Sequence, residues 1–152
     1  MKPARYAMIF AVSDTFEHTL LLQKPYTHHN PLFQGRWTAP GGHVEENESE
    51  LAAAVRELEE EARITVSPDE VRFVLRFTCN CDSTEIEHDV AVFGTVIPIQ
   101  RLSCAQGTPV EPIGVFSRLP DNMLWYTRPL LDLTISRMKQ RPASDLPPTE
   151  KR

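Results

Sequence analysis

Glu57, Glu60 and Glu61 stand in the stretch VRELEEEARI, where helical spacing would set three carboxylates side by side. Residues three and four apart are neighbours on a helix surface, and Glu50 lies near the same line further back. Each like-charge pair costs about 0.2–0.5 kcal/mol when exposed, so a merely solvated acidic face is affordable. Three features point beyond that reading. The carboxylates flank an apolar stripe of Leu51, Val55, Leu58 and Ala62, which puts them at the margin of a core, where repulsion is less screened. Arg56 sits among them, one turn before Glu60. The segment also follows Pro40-Gly41-Gly42, a loop whose backbone can approach a ligand closely. Hard oxygen ligands at one helix edge suit Mg²⁺ or Mn²⁺, ions that bridge protein carboxylates to substrate phosphates. Such a cation would neutralise the glutamates and make an acidic surface attractive to a polyphosphate.

The whole chain is acidic, with a formal net charge of −5 over 152 residues. That balance argues against a protein that coats nucleic acid, which would present a basic surface. With 41% apolar residues there is material for one compact core, and a single domain over residues 1–140 is expected. No apolar stretch is long enough to span a membrane, and the opening MKPARYAMIF lacks the pattern of a secretion signal. Cys79, Cys81 and Cys104 are odd in number and lack metal-knuckle spacing; Cys79 and Cys81 read as same-face residues of a strand. A reducing, cytoplasmic setting is therefore expected.

The elements that must position the carboxylates are legible as alternating strand and helix patterns. Tyr6 to Val12 and Thr19 to Gln23 read as a hairpin, followed by a polar loop from Lys24 to Arg36 and a short segment at Trp37 to Ala39. The helix is expected over Glu50 to Arg63, with Ser49 as its N-cap and Pro68 blocking continuation. Val71 to Cys81 and Ile86 to Ile99 read as two strands joined by a turn at Asp82-Ser83-Thr84. Val110 to Leu119 is a weaker strand, and Asn122 to Gln140 a closing helix whose real start lies near Pro129. The tail from Arg141 to Arg152 is Pro-rich and charged and is expected to be disordered. Interleaved strands and helices predict an α/β sandwich with a mixed sheet.

The carboxylate stretch resembles the signature of the Nudix hydrolases. Gly42 is followed after five residues by Glu48, and after seven more by Arg56-Glu57; Leu58, Glu59, Glu60-Glu61, Ala62, Arg63 and Ile64 complete it. Every defined position matches except the last glycine, which is Arg63. The box covers about a sixth of the chain, and the flanking order of elements suits the family's α/β/α sandwich.

The resemblance implies a divalent-metal-dependent hydrolase of a nucleoside diphosphate linked to another group. By it, Glu57, Glu60 and Glu61 would ligate Mg²⁺ or Mn²⁺ with the backbone carbonyl of Gly41, and Arg56 with Glu48 would tie loop to helix and orient the glutamates. The general base is left open among Glu60, Glu57 and a later glutamate. Glu111, before the weak strand, is a candidate additional metal ligand; Glu85 and Glu87 are lesser ones. Lys24 is expected near the substrate phosphates. His28 and His29 either are plain polar loop or touch substrate, Trp37 is expected to anchor its loop by packing, and Trp125 and Tyr126 either pack the last helix or stack on a base.

Small size, Lys24 and the aromatic closing helix make the chain look most like the mononucleotide branch, including enzymes that clear oxidised or non-standard nucleoside triphosphates to monophosphate and pyrophosphate. Hydrolysis of ADP-ribose or a nucleotide sugar is the alternative, although Thr78-Cys79-Asn80 stand where ADP-ribose hydrolases often carry a proline. A third reading is a Nudix-fold module that binds nucleotides without cleaving them; such relatives generally lose box glutamates, and this chain keeps them. The expected partner is a small nucleotide, with no membrane and no nucleic-acid polymer, and a homodimer is open. Arg63 in place of glycine is expected to cost about 1 kcal/mol if the helix end keeps a left-handed backbone, without loss of catalysis.

Overall fold

The computed structural model describes residues 4–80 and 87–140. The expected turn at Asp82-Ser83-Thr84, Cys81, Glu85 and the tail from Arg141 lie outside the described residues.

The first strand, β1 (Ala4–Ser13), explains the layering. Side chains alternate across a strand, so an unbroken apolar run must be covered on both faces. Ala7, Ile9 and Ala11 enter a core with Ala53, Ala54, Leu58 and Ala62 of the helix α1 (Glu50–Ala62). Met8, Phe10 and Val12 point the other way, into a core with Leu130 and Leu131 of α3 (Thr127–Lys139). The result is the expected α/β/α sandwich.

The remaining strands are β2 (Thr19–Gln23), β3 (Trp37–Thr38), β4 (Gly41–His43), β5 (Val71–Cys79), β6 (His88–Ile97) and β7 (Ile113–Phe116), with a short α2 (Ile99–Leu102) after β6. They form one mixed seven-stranded sheet with the path β3-β2-β1-β6-β5; β4 also pairs with β1, and β7 with β2. β1 and β6 run parallel from Ala4↔His88 to Ser13↔Ile97, and the other pairings are antiparallel. The expected hairpin of β1 and β2 is present, in register at Val12↔Thr19.

Three expectations need correction. Gly41 and Gly42 do not form a free loop: they pair with Met8 and Ala7 at the edge of β1. Pro68, expected only as a stop signal, opens a 3₁₀ turn over Pro68–Glu70 that feeds β5. The buried face of α1 is Ala53, Ala54, Leu58 and Ala62, while Leu51 and Val55 are only half-buried. The helix shares this core with Ala7, Ile9, Ala11 and Ala91 of the sheet. Among the described residues no helix is long and apolar enough to cross a membrane.

Candidate active site

Helix α1 begins where the sequence suggests. The Ser49 hydroxyl accepts from the Ala52 amide at 3.0 Å, satisfying one of the orphan donors of the first turn. One turn along, Arg56 organises the acids. Its Nε donates to Glu48 Oε2 at 2.8 Å and its Nη2 to Glu48 Oε1 at 3.0 Å, a bidentate pair. Nη1 donates to Glu57 Oε1 at 2.9 Å and to Glu60 Oε2 at 3.2 Å, and Nη2 also reaches the His43 carbonyl at 3.0 Å. Five hydrogen bonds match the five N–H donors of a guanidinium. Glu48 is offered to Arg56 by a tight turn in which the Glu48 amide donates to the Glu45 carbonyl and the Glu45 amide donates back to Glu48 Oε1.

The electrostatics follow. Arg56, with the amide of Glu45 after it, pulls the Glu48 carboxyl from 4.5 down to about 2, and its carboxylate partners hold Arg56 firmly charged. Glu61 is the opposite case. Burial first, then Glu57 and Glu111, push it up to about 8 against the pull of Lys24 and of the Gly41 amide, which donates to Glu61 Oε1 at 2.8 Å. A half-buried carboxyl raised chiefly by desolvation, with two further acids beside it, is a candidate functional group.

The glycines are required by close approach. A Cβ on Gly42 would lie 2.4 Å from Glu57 Oε1, and one on Gly41 would lie 2.5 Å from the Ala7 carbonyl oxygen. The Pro-Gly-Gly segment therefore lets β4 pair with β1 while α1 presses the Glu57 carboxylate against it.

Of the other sequence candidates, Lys24 and Glu111 come together, with Nζ to Oε2 at 3.7 Å. Glu50 is not part of the cluster; it turns away to Arg76 of β5. Glu87 precedes β6 and its carbonyl accepts from the Ala4 amide. Trp37 packs edge-on to Phe116 with ring centres 4.9 Å apart, as an anchor should.

Beside the glutamates lies a cleft of about 320 Å³. Gly41, Gly42 and Lys24 belong to its lining, together with His28, His29 and Tyr126, whereas Trp125 is exposed next to Tyr126. Among the lining residues that sequence reasoning missed are Tyr6, His43, Cys79 and His88. They come together through strand register, Tyr6 opposite His43 and Cys79 opposite His88. The Tyr6 hydroxyl and His43 Nε2 are 2.8 Å apart. No spacing in the sequence announces such a set.

The donor chemistry suits a hard divalent cation: the carboxylates of Glu57, Glu60 and Glu61 lie along one edge of α1, with the backbone of Gly41 against Glu61. Among the described residues no three acidic, histidine or cysteine side chains yet converge as a coordination shell; Glu57 and Glu60 are engaged by Arg56 instead.

Residues 2–101 match the family model described as the NUDIX domain. No curated protein matches the sequence. Among solved structures, the chain is similar to a MutT/nudix family protein from Enterococcus faecalis, with a TM-score of 0.60 and 19% identity, over 76% of this chain and 44% of that one. It is similar to a MutT NUDIX hydrolase from Burkholderia pseudomallei, with a TM-score of 0.67 and 21% identity, over 88% of this chain and 98% of that one. It is also similar to a bifunctional NMN adenylyltransferase/ADP ribose pyrophosphatase from Francisella tularensis, solved with AMP and a Mn ion, with a TM-score of 0.65 and 16% identity, over 90% of this chain and 42% of that one. The chain thus spans less than half the length of the first and third and nearly all of the second. At these identities the likeness is one of fold.

Proposed function

The chain belongs to the Nudix family, whose hydrolases act on phosphoric anhydride bonds, and from that premise we propose that it is a cytoplasmic, Mg²⁺- or Mn²⁺-dependent pyrophosphohydrolase of nucleoside triphosphates, releasing monophosphate and pyrophosphate. The observation that carries the reading is the carboxylate edge of α1, with Glu57 and Glu60 held by Arg56 and the half-buried Glu61 held by the Gly41 amide, and with the Lys24–Glu111 pair and a nucleotide-sized cleft adjoining.

Glu57, Glu60, Glu61 and the Gly41 carbonyl would hold the metal, with Glu111 as a further ligand. When bound, the ion neutralises phosphate charge and lowers the pKa of a water it holds. The residues of the chain do the rest. Arg56, gripped by Glu48, fixes the rotamers of Glu57 and Glu60. Glu60 is the most open of the set, with its side chain 57% exposed against 13% for Glu57, which favours it as the base that takes the proton of the attacking water. Lys24 offers its ammonium to a phosphate in exchange for Glu111.

The cleft volume supports the mononucleotide reading, since about 320 Å³ is at the low end for a ligand site. ADP-ribose is the second reading, favoured by the fold it shares with the Francisella tularensis ADP ribose pyrophosphatase. The test is release of phosphate or pyrophosphate from canonical and oxidised nucleoside triphosphates, ADP-ribose, nucleotide sugars and dinucleoside polyphosphates, in each metal. Turnover of triphosphates, abolished by Glu60→Gln and Glu61→Gln, is expected. Turnover confined to ADP-ribose would replace the substrate assignment, and binding without turnover would replace the enzyme.

A further inference from the structure

Four of the five histidines of the chain, His28, His29, His43 and His88, line the one cleft beside the glutamates. The hydrolysis set out above uses none of them. Two form a built unit. The His28 and His29 rings stack at 4.4 Å with 23° between their planes. Phe33 backs His28 at 5.1 Å, and the Asn30 amide donates to His28 Nδ1 at 3.0 Å. The loop beneath is fixed as well: Asn30 is buried, its Oδ1 accepts from the Leu32 amide, and the Gln34 side chain donates to the His28 carbonyl at 2.8 Å.

This geometry has chemical content. An Nδ1 that accepts leaves a neutral imidazole with its proton on Nε2. Burial, the neighbouring His29 and Lys24 all lower the pKa of His28, so the ring stays neutral in neutral solution. A neutral ring adds little against phosphate charge, and Lys24 in the same wall already supplies an ammonium for that purpose. What the pair adds is a flat aromatic surface and one oriented N–H donor. His29 is the exposed partner and His28 the half-buried one.

We infer that the His28–His29 pair reads the nucleobase of the substrate: the base stacks on His29, and His28 Nε2–H donates to an acceptor on the base edge. The inference rests on the nucleotide reading above and deepens it, assigning phosphate and base to adjacent parts of one loop.

Binding of the nucleoside 5′-monophosphates of adenine, guanine, cytosine and uracil to the full-length protein in Mg²⁺ tests it by calorimetry, with ribose 5-phosphate as the base-less control. His29→Ala is expected to weaken the preferred monophosphate about tenfold, the order of one lost base stack, and to leave ribose 5-phosphate unchanged. His29→Phe restores the affinity. His28→Gln, which keeps an N–H donor in that region, retains the ranking of bases, and His28→Leu flattens it. Unchanged affinity in His29→Ala overturns the inference, as does an equal loss for ribose 5-phosphate, rescue by His29→Lys in place of His29→Phe, or failure of the parent protein to bind any monophosphate. Anhydride hydrolysis is read separately: base-dependent binding with no hydrolysis sinks the enzyme reading alone, and hydrolysis with base-blind binding sinks this one alone.

Discussion

Arg56 holds Glu48 by two parallel hydrogen bonds, Nε to Oε2 at 2.8 Å and Nη2 to Oε1 at 3.0 Å. Lysine cannot reproduce that fork. Arg56→Lys is therefore expected to cost about 1–2 kcal/mol of stability and to lower kcat more than KM, because Glu57 and Glu60 lose their common anchor. Urea unfolding and steady-state kinetics measure the two effects.

The same pair predicts an acid limb. The folded Glu48 carboxyl lies at about 2 and its ordinary value is 4.5, so its contribution is fully present above pH 4.5 and is lost as pH falls toward 2. The stability difference between the parent protein and Glu48→Gln should shrink across that window. A difference that stays constant between pH 5 and pH 2 would count against this assignment.

Glu61 predicts the reverse trend at higher pH. Its folded value of about 8 lies above 4.5, so without metal its burial costs stability progressively as pH rises between those values. In chelator, Glu61→Gln should lose less stability than the parent between pH 5 and pH 8. Added Mg²⁺ or Mn²⁺ should raise the Tm of the parent more at pH 8 than at pH 5, and that of the variant hardly at all.

Gly41 and Gly42 separate folding from chemistry. A methyl on Gly41 meets the backbone of Ala7 and Met8, whereas one on Gly42 meets the far end of the Glu57 side chain. Gly41→Ala should destabilise the sheet by about 2 kcal/mol or more. Gly42→Ala should fold nearly as well and lose on the order of a hundredfold in kcat, the scale of a misplaced catalytic group. The pair is resolved by comparing Tm with kcat.

Arg63 closes α1 in the left-handed region at φ 58° and ψ 33°, its amide donating to the Glu59 carbonyl at 2.9 Å. Glycine would relieve about 1–2 kcal/mol of strain but give back about 0.4–1 kcal/mol through the freer unfolded chain. Arg63→Gly should thus gain about 0.5–1 kcal/mol, roughly 2 °C in Tm, with kcat unchanged.

Much of this was legible because it is local. Ser49 and the glutamate spacing announce α1 and its cap, and the apolar run of β1 announces a strand covered on both faces. The Arg56–Glu48 pairing, which the family resemblance implies, is present, whereas Glu50, on the same line by spacing, turns away to Arg76. What escaped depends on distant register. Gly41 and Gly42 read as a loop because nothing near them reveals that Met8 and Ala7 offer a free edge. Tyr6, His43, Cys79 and His88 reach one cleft from four strands, and no period links them. Leu51 and Val55 outrank alanine on any apolar scale, yet they are half-buried while Ala53 and Ala54 are fully buried in the core shared with Ala7, Ile9, Ala11 and Ala91.

The parallel pairing of β1 with β6 has a consequence for how the chain assembles. The centre of the sheet joins residues 4–13 to residues 88–97, so the whole carboxylate box leaves the ribosome well before the strand that completes its scaffold. Closing so long a loop makes the step slow relative to local helix formation. Until β6 arrives, β1 carries an unpaired edge of apolar backbone, open to association with other nascent chains. A fragment ending at residue 70, signature intact, should stay unfolded, and the box is no transplantable cassette.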